Sequence, residues 1–153
     1  MNNEIKYFTI DEAIQVHNKT IDKSGGGFYG ARDIDTLKSV LDFIQNDLYY
    51  PNYEDKLTYL VYRVCSGHFF NDGNKRAALT LGSYFLMINQ HYWAAAQFLQ
   101  RLEAIIYHIA ASRINDTLLK RIIHCCVQCT EFDENLKLDI IDAIDNKTIG
   151  FSD

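Results

Sequence analysis

Apolar residues recur along most of this chain at intervals of three and four, the spacing that puts side chains on one face of an α-helix. Leu37, Val40, Leu41 and Ile44 make one such stripe, and Leu57, Leu60, Val61 and Val64 make another. Polar residues mark the ends. Thr9-Ile10-Asp11-Glu12 is a capping-box pattern, in which the Thr hydroxyl and the Glu carboxylate take up backbone N–H groups left free by a first helical turn. A first helix is therefore expected to about Asp22, ended by Ser24-Gly25-Gly26-Gly27. Asp33 suits the N-cap of a second helix. Residues 46–53 interrupt the pattern with polar residues, Pro51 and the tyrosines Tyr49, Tyr50 and Tyr53. A third helix is expected from about Glu54 to Gly67, and a strongly apolar fourth from about Asn74 to Asn89. Further helical stretches read at 94–112, 116–129 and 133–145, with Asn115 and Asp133 as N-caps. Pro51 is the only proline, and proline is the residue most disruptive inside helices. The pattern predicts an all-α fold in one domain over residues 1–153.

Composition narrows this picture. A chain of 153 residues can bury a continuous core without disulfides or metals. With 48% hydrophobic and 23% charged residues it falls among folded globular proteins. A net charge of −5 argues against a general nucleic-acid binder, while leaving room for a local basic pocket. No apolar run approaches the roughly 18–20 residues of a membrane span, and the N-terminus lacks the basic and apolar regions of a secretory signal. Cys65, Cys125, Cys126 and Cys129 do not make a disulfide framework, so the expected location is cytoplasmic with reduced thiols. Cys126-x-x-Cys129 has a zinc-like spacing, but no second pair completes four ligands. The same residues share a helix with Leu119, Ile122 and Ile123, where cysteine packs as a small hydrophobe. His17, His91 and His108 read as structural.

The segment His68-Phe69-Phe70-Asn71-Asp72-Gly73-Asn74-Lys75-Arg76 concentrates chemistry at the start of the fourth helix. A helix N-terminus offers unpaired N–H groups and partial positive charge, a ready site for phosphate. Gly73 permits a tight turn and close approach of a ligand to the backbone. Lys75 and Arg76 place two cations where the helix dipole disfavours them, an arrangement that an anion would offset. Asn74 can donate an amide N–H to a phosphate oxygen. Asp72 is the only carboxylate in the segment and suits Mg²⁺, which takes one or two carboxylates together with phosphate oxygens. His68 belongs to the side-chain type that exchanges protons near neutrality and can act as general base. Phe70 would anchor the loop to the core.

This segment resembles the signature of Fic/Doc proteins, H-x-F-x-D/E-G/A-N-G/K-R. The likeness extends to Gly30-Ala31-Arg32-Asp33 with Leu37, Ser39 and Leu41, to Tyr50-Pro51 and Lys56, and to Ala77-Ala78-Leu79 and Phe85-Leu86-x-Ile88-Asn89, a set similar to death-on-curing (Doc-like) toxins. Coverage is roughly residues 6–127, with an extra C-terminal helix at about 131–147. The resemblance implies a small helical domain that uses ATP as substrate. His68 would deprotonate a target hydroxyl, Asp72 would bind Mg²⁺, and Gly73, Asn74, Lys75 and Arg76 would hold phosphates. The stretch 46–53 would correspond to a flap that docks the target segment by strand addition, with Tyr49 and Tyr50 in it.

Lys75 stands where most Fic enzymes, which transfer AMP, have Gly; the Doc branch has Lys there and transfers the γ-phosphate. The resemblance therefore implies a toxin-type protein kinase acting on elongation factor Tu and neutralised by an antitoxin, with no direct nucleic-acid or membrane partner. AMP transfer and a non-catalytic binding module are the alternatives. Gly73 and Phe69 depart from the best-known Doc pattern, which has Ala at the first position and Pro or Ile at the second. Thr130-Glu131-Phe132-Asp133-Glu134-Asn135 fits the S/T-x-x-x-E-G/N inhibitory pattern of some Fic proteins, in which Glu134 would pair with Arg76. The plainer reading is a helix start with acidic residues in the first turn, where they suit the dipole.

Overall fold

The computed structural model describes residues 4–149, with side chains through residue 145. Among these residues it forms eight helices: α1 (Ile10–Lys23), α2 (Ile34–Phe43), α3 (Tyr53–Gly67), α4 (Asn74–Ile88), α5 (Tyr92–Leu102), α6 (Ile105–Ala110), α7 (Asp116–Gln128) and α8 (Glu134–Ile149). No strand occurs among the described residues; one isolated antiparallel bridge joins Ala31 to Phe70. The all-α expectation holds.

Local chemistry sets the helix starts. Thr9 Oγ1 accepts from the Glu12 N–H at 3.1 Å, and Glu12 Oε1 accepts from the Thr9 N–H at 3.1 Å, closing the capping box. Asp33 accepts from the Thr36 N–H, Asn115 from that of Leu118 and Asp133 from that of Leu136. Such caps stabilise a helix by about 1 kcal/mol each.

Helices α3 and α4 pack on each other at the centre, α1 and α5 flank α4, and α7 flanks α3. Leu57, Leu60, Val61, Ala78, Leu81 and Phe85 are fully buried between them, and each large side chain contributes about 1.5–3 kcal/mol by leaving water. Gly82 makes the close approach possible: a Cβ there would lie 2.7 Å from Phe98 on α5 and 3.0 Å from Val61 on α3.

One boundary differs from the sequence reading. The stretch expected at 94–112 starts at Tyr92 and splits at Glu103 and Ala104 into α5 and α6. Apolar spacing runs on through the break, with Ala95, Phe98, Leu102, Ile105, Ile106 and Ile109 all buried. Helix α3 ends at Gly67 as expected, and His68 after it takes the left-handed conformation (φ 53°). A Cβ on Gly67 would come within 2.4–2.5 Å of two atoms of the Phe69 ring. The glycine is thus used for packing, and the positive φ falls on the histidine.

Candidate active site

The loop between α3 and α4 is held from three sides. Phe69 and Phe70 are both buried, so two aromatic anchors replace the single one expected. Beneath the loop, His17 of α1 stacks on Phe70 with ring centroids 3.9 Å apart and planes 6° apart. Its Nε2 lies 2.8 Å from the Asp72 carbonyl oxygen. From the side, the segment before α2 acts as a strap: the Arg32 and Asp33 N–H groups donate to the Phe69 carbonyl (2.7 and 3.0 Å), and the Asn71 N–H donates to the Gly30 carbonyl (3.1 Å). Asn71 Nδ2 adds a bond to the Tyr29 carbonyl. Asp33 caps α2 at the same time, and its bonds from the Thr36 hydroxyl and N–H hold its carboxyl below the usual carboxylate range. The Gly30–Asp33 stretch singled out in the sequence thus supports the signature segment through backbone atoms.

The end of the loop is shaped for an anion. Gly73 occupies the N-cap of α4 in the left-handed region (φ 70°), and no side chain caps the helix. Among the described residues the N–H groups of Asn74, Lys75 and Arg76 have no acceptor, so three donors face outward at the positive end of the helix dipole. Asn74 differs from expectation. Its amide closes the loop on itself, donating to the Phe70 carbonyl and accepting from the Phe70 N–H, both at 3.0 Å; one N–H remains for a ligand. Arg76 forms no ion pair among the described residues, and the Lys75 ammonium sits 5.7 Å from the centre of the Tyr107 ring.

His68, Asp72, Gly73, Asn74, Lys75 and Arg76 line one cleft of about 940 Å³, bounded on its far side by Leu99 and Gln100 of α5, Glu103 of the break, and Ile106 and Tyr107 of α6. That volume lies at the upper end for small-ligand sites. His68 is exposed to the cleft and has no hydrogen-bond partner among the described residues. Asp72 Oδ1 accepts from the Gly73 N–H at 2.8 Å, and Oδ2 lies 3.4 Å from the Phe28 N–H. Each oxygen therefore keeps lone pairs free. No group of three or more His, Cys, Asp or Glu among the described residues could hold a metal. A single carboxylate with free lone pairs, beside free N–H donors, fits a cation that brings most of its ligands with it, as Mg²⁺ does with a nucleotide.

The sequence model of the Fic/DOC family matches residues 7–86, more than half of the chain. The chain belongs to the Fic/DOC family. Members of that family are usually nucleotide-dependent transferases acting on proteins. The matched span covers α1 to α3 and nearly all of α4, hence the strap, the loop and the anion site of this Fic/DOC domain. A search of curated proteins finds no match, and no described helix is long and apolar enough to cross a membrane.

Other expected site residues of the Fic/DOC domain lie elsewhere. Residues 46–50 form turns, with the Tyr50 N–H donating to the Asn46 carbonyl. Tyr49 is exposed, Tyr50 packs on Tyr59 (4.6 Å), and both line a separate cavity of about 460 Å³ between α3 and α7. Lys56, fully buried, fixes the entry to these turns by donating to the Ile44 carbonyl and pairing with Asp47, both at 2.7 Å. Glu134 is not brought to Arg76. It is solvent-exposed and pairs with Lys137 at 3.4 Å, while the preceding Thr130 carbonyl is bound by Arg101 at 2.7 Å. Sequence reasoning missed His17, Phe69 and Gly27, whose Cβ would come 2.8 Å from Asp72 Oδ2. For His17 a signal existed: it interrupts the inward stripe of α1, between the buried Ala13 and Ile21.

Proposed function

We propose that this Fic/DOC domain is a Doc-type protein kinase that moves the γ-phosphoryl group of ATP onto a Ser or Thr hydroxyl of a target protein, with elongation factor Tu as the target. The observation that carries the reading is the start of α4: three free N–H groups and the unpaired cations of Lys75 and Arg76 around a glycine N-cap. Phosphate groups would complete all of these at once. Lys75 carries the choice of phosphate. A long cation in place of glycine fills space near the N-terminus of α4 and adds a further anion position, which favours seating the nucleotide with its γ-phosphate toward His68.

In this reading the target hydroxyl lies beside His68, which takes its proton as the oxygen attacks the γ-phosphorus. The bond from the γ-phosphorus to the β,γ-bridging oxygen breaks, and ADP leaves. Gly73, Asn74, Lys75 and Arg76 hold the phosphates in line for this displacement, so positioning and charge stabilisation supply most of the rate. Asp72 would hold Mg²⁺, which supplies charge neutralisation on the phosphate oxygens. Tyr49 and Tyr50 serve target docking along the exposed face of α3, and an antitoxin neutralises the enzyme by occupying the nucleotide cleft or the groove beside it.

Incubation with a translation extract and ATP labelled at the α or the γ position tests this directly. Label from γ-ATP on the target, lost in His68→Ala, supports the kinase. Label from α-ATP alone assigns AMP transfer instead. Target modification that persists in both His68→Ala and Asp72→Ala removes this site from the chemistry.

A further inference from the structure

We infer that His17 is a positioning residue for the active site: it fixes the Asp72 backbone from beneath, and through it the direction of the Asp72 carboxylate and the first turn of α4. The inference rests on the reading of Asp72 as the Mg²⁺ ligand.

The ring of His17 is completely buried on the inward face of α1. A carbonyl oxygen can only accept, so the 2.8 Å contact with Asp72 requires that Nε2 carry the proton. The stack on Phe70 fixes the plane of the ring, and the Nε2 bond fixes its rotation in that plane. The other nitrogen, Nδ1, is buried with no hydrogen-bond partner. That orphan atom argues against a packing role. A leucine on the same stripe would fill the space with no unsatisfied polar group, and burying one is costly. What a leucine cannot do is donate to the Asp72 carbonyl.

The same face of α1 also sets the position of Gly73. A Cβ there would meet Ile21 Cδ1 at 3.1 Å and His17 Nε2 at 3.8 Å. The peptide between Asp72 and Gly73 is therefore seated on α1 by one directed bond, with Ile21 leaving no room for a side chain at Gly73. Its N–H side faces the Asp72 carboxylate, donating to Oδ1 at 2.8 Å. Rotation of this peptide would turn both the carboxylate and the first free N–H groups of α4. Groups that orient a metal ligand in this way typically change metal affinity 10- to 100-fold when removed.

The test compares His17→Phe, which keeps a ring on Phe70 and removes the donor, with His17→Gln, which returns an N–H near the Nε2 position and gives up the stack. ATP binding is titrated calorimetrically against Mg²⁺, beside thermal melting and the kcat and KM of transfer. The expected result is that His17→Phe raises the Mg²⁺ concentration for half-maximal ATP binding about tenfold or more and lowers kcat. His17→Gln is expected to stay within about threefold of the wild type in Mg²⁺ requirement although it melts lower. Should His17→Phe not fold, His17→Leu makes the same comparison. Equal Mg²⁺ requirements in wild type and donor-less variant overturn the inference, as does equal weakening in the Phe and Gln variants, which would mark a packing role. A wild type whose ATP binding ignores Mg²⁺ overturns the Asp72 reading, and this inference with it; a Mg²⁺-dependent wild type with unaltered variants overturns this inference alone.

Discussion

Gly67→Ala puts a methyl group where the Phe69 ring now lies. Two ring carbons stand 2.4 and 2.5 Å from the new Cβ and a third stands 2.9 Å away, all well inside van der Waals contact. The ring cannot swing aside cheaply. It is 1% exposed, Arg63 lies over it at 6.0 Å, and the Phe69 carbonyl is pinned by the Arg32 and Asp33 N–H groups. Overpacking of this kind costs about 1–3 kcal/mol, and the enclosed ring argues for the upper end. Alanine recovers about 1 kcal/mol of helix propensity relative to glycine. The net loss is then about 2 kcal/mol, a fall in Tm of roughly 4–8 °C for a chain of this size. Because His68 lies between the two residues in a left-handed conformation, the shift should reach this proposed general base. A misplacement of about 1 Å costs on the order of 100-fold in rate. Thermal melting and the labelled-ATP transfer assay measure the two effects. The double variant Gly67→Ala/Phe69→Leu, which makes room for the methyl group, should regain part of the lost Tm, since contacting residues couple. A single variant that melts and reacts like the wild type would refute the reasoning.

Arg76→Ala should weaken ATP binding about 10- to 100-fold while leaving the melting temperature of the unliganded protein nearly unchanged, because the Arg76 guanidinium has no partner among the described residues; isothermal calorimetry measures this. Glu12 has its carboxyl held below the usual range by the Thr9 N–H bond, with help from the Tyr84 hydroxyl. Its folded-state value lies below the unfolded 4.5, so its stabilisation is present above that pH and lost as pH falls through the folded value. A plot of Tm against pH should therefore decline less steeply on the acid side in Glu12→Gln than in the wild type. Burial pushes the Cys65 and Cys126 thiols up to about 11, so a thiol reagent at pH 8 should label exposed Cys129 in the native protein and reach those two only after unfolding. Glu134→Gly should leave transfer activity unchanged, since Glu134 faces solvent beside Lys137; a gain in activity on removing it would restore the inhibitory reading.

Helix starts were legible because they are local events. Thr9 with Glu12, Asp33, Asn115 and Asp133 each cap through atoms three residues away. The break between α5 and α6 was hidden because Leu102, Ile105 and Ile106 keep helical spacing across it. At the end of α3 the Phe69 ring claims the space over Gly67, and the left-handed conformation falls on His68, a placement that the order of residues does not disclose. In the site itself, the signature residues could be read as a set because one loop and one helix start carry them all. Their supports could not. The strap acts through main-chain atoms about 40 residues distant, and His17 acts from 55 residues away. Residues 46–52 do interrupt the helices, but nothing in them disclosed the turns over 46–50 that Lys56 holds.

The uncapped start of α4 has a consequence for how such an enzyme is switched off. A helix whose first-turn donors have no acceptor within the protein is completed by whatever binds there, so the ligand itself becomes the N-cap of the central helix. Any molecule with a carboxylate or hydroxyl that fits the same three N–H groups stabilises the folded protein by RT ln(1 + [L]/Kd) and excludes phosphate at the same moment. Tight inhibition and thermal protection are then two readings of one event, and a neutralising partner can be recognised by the melting temperature it raises.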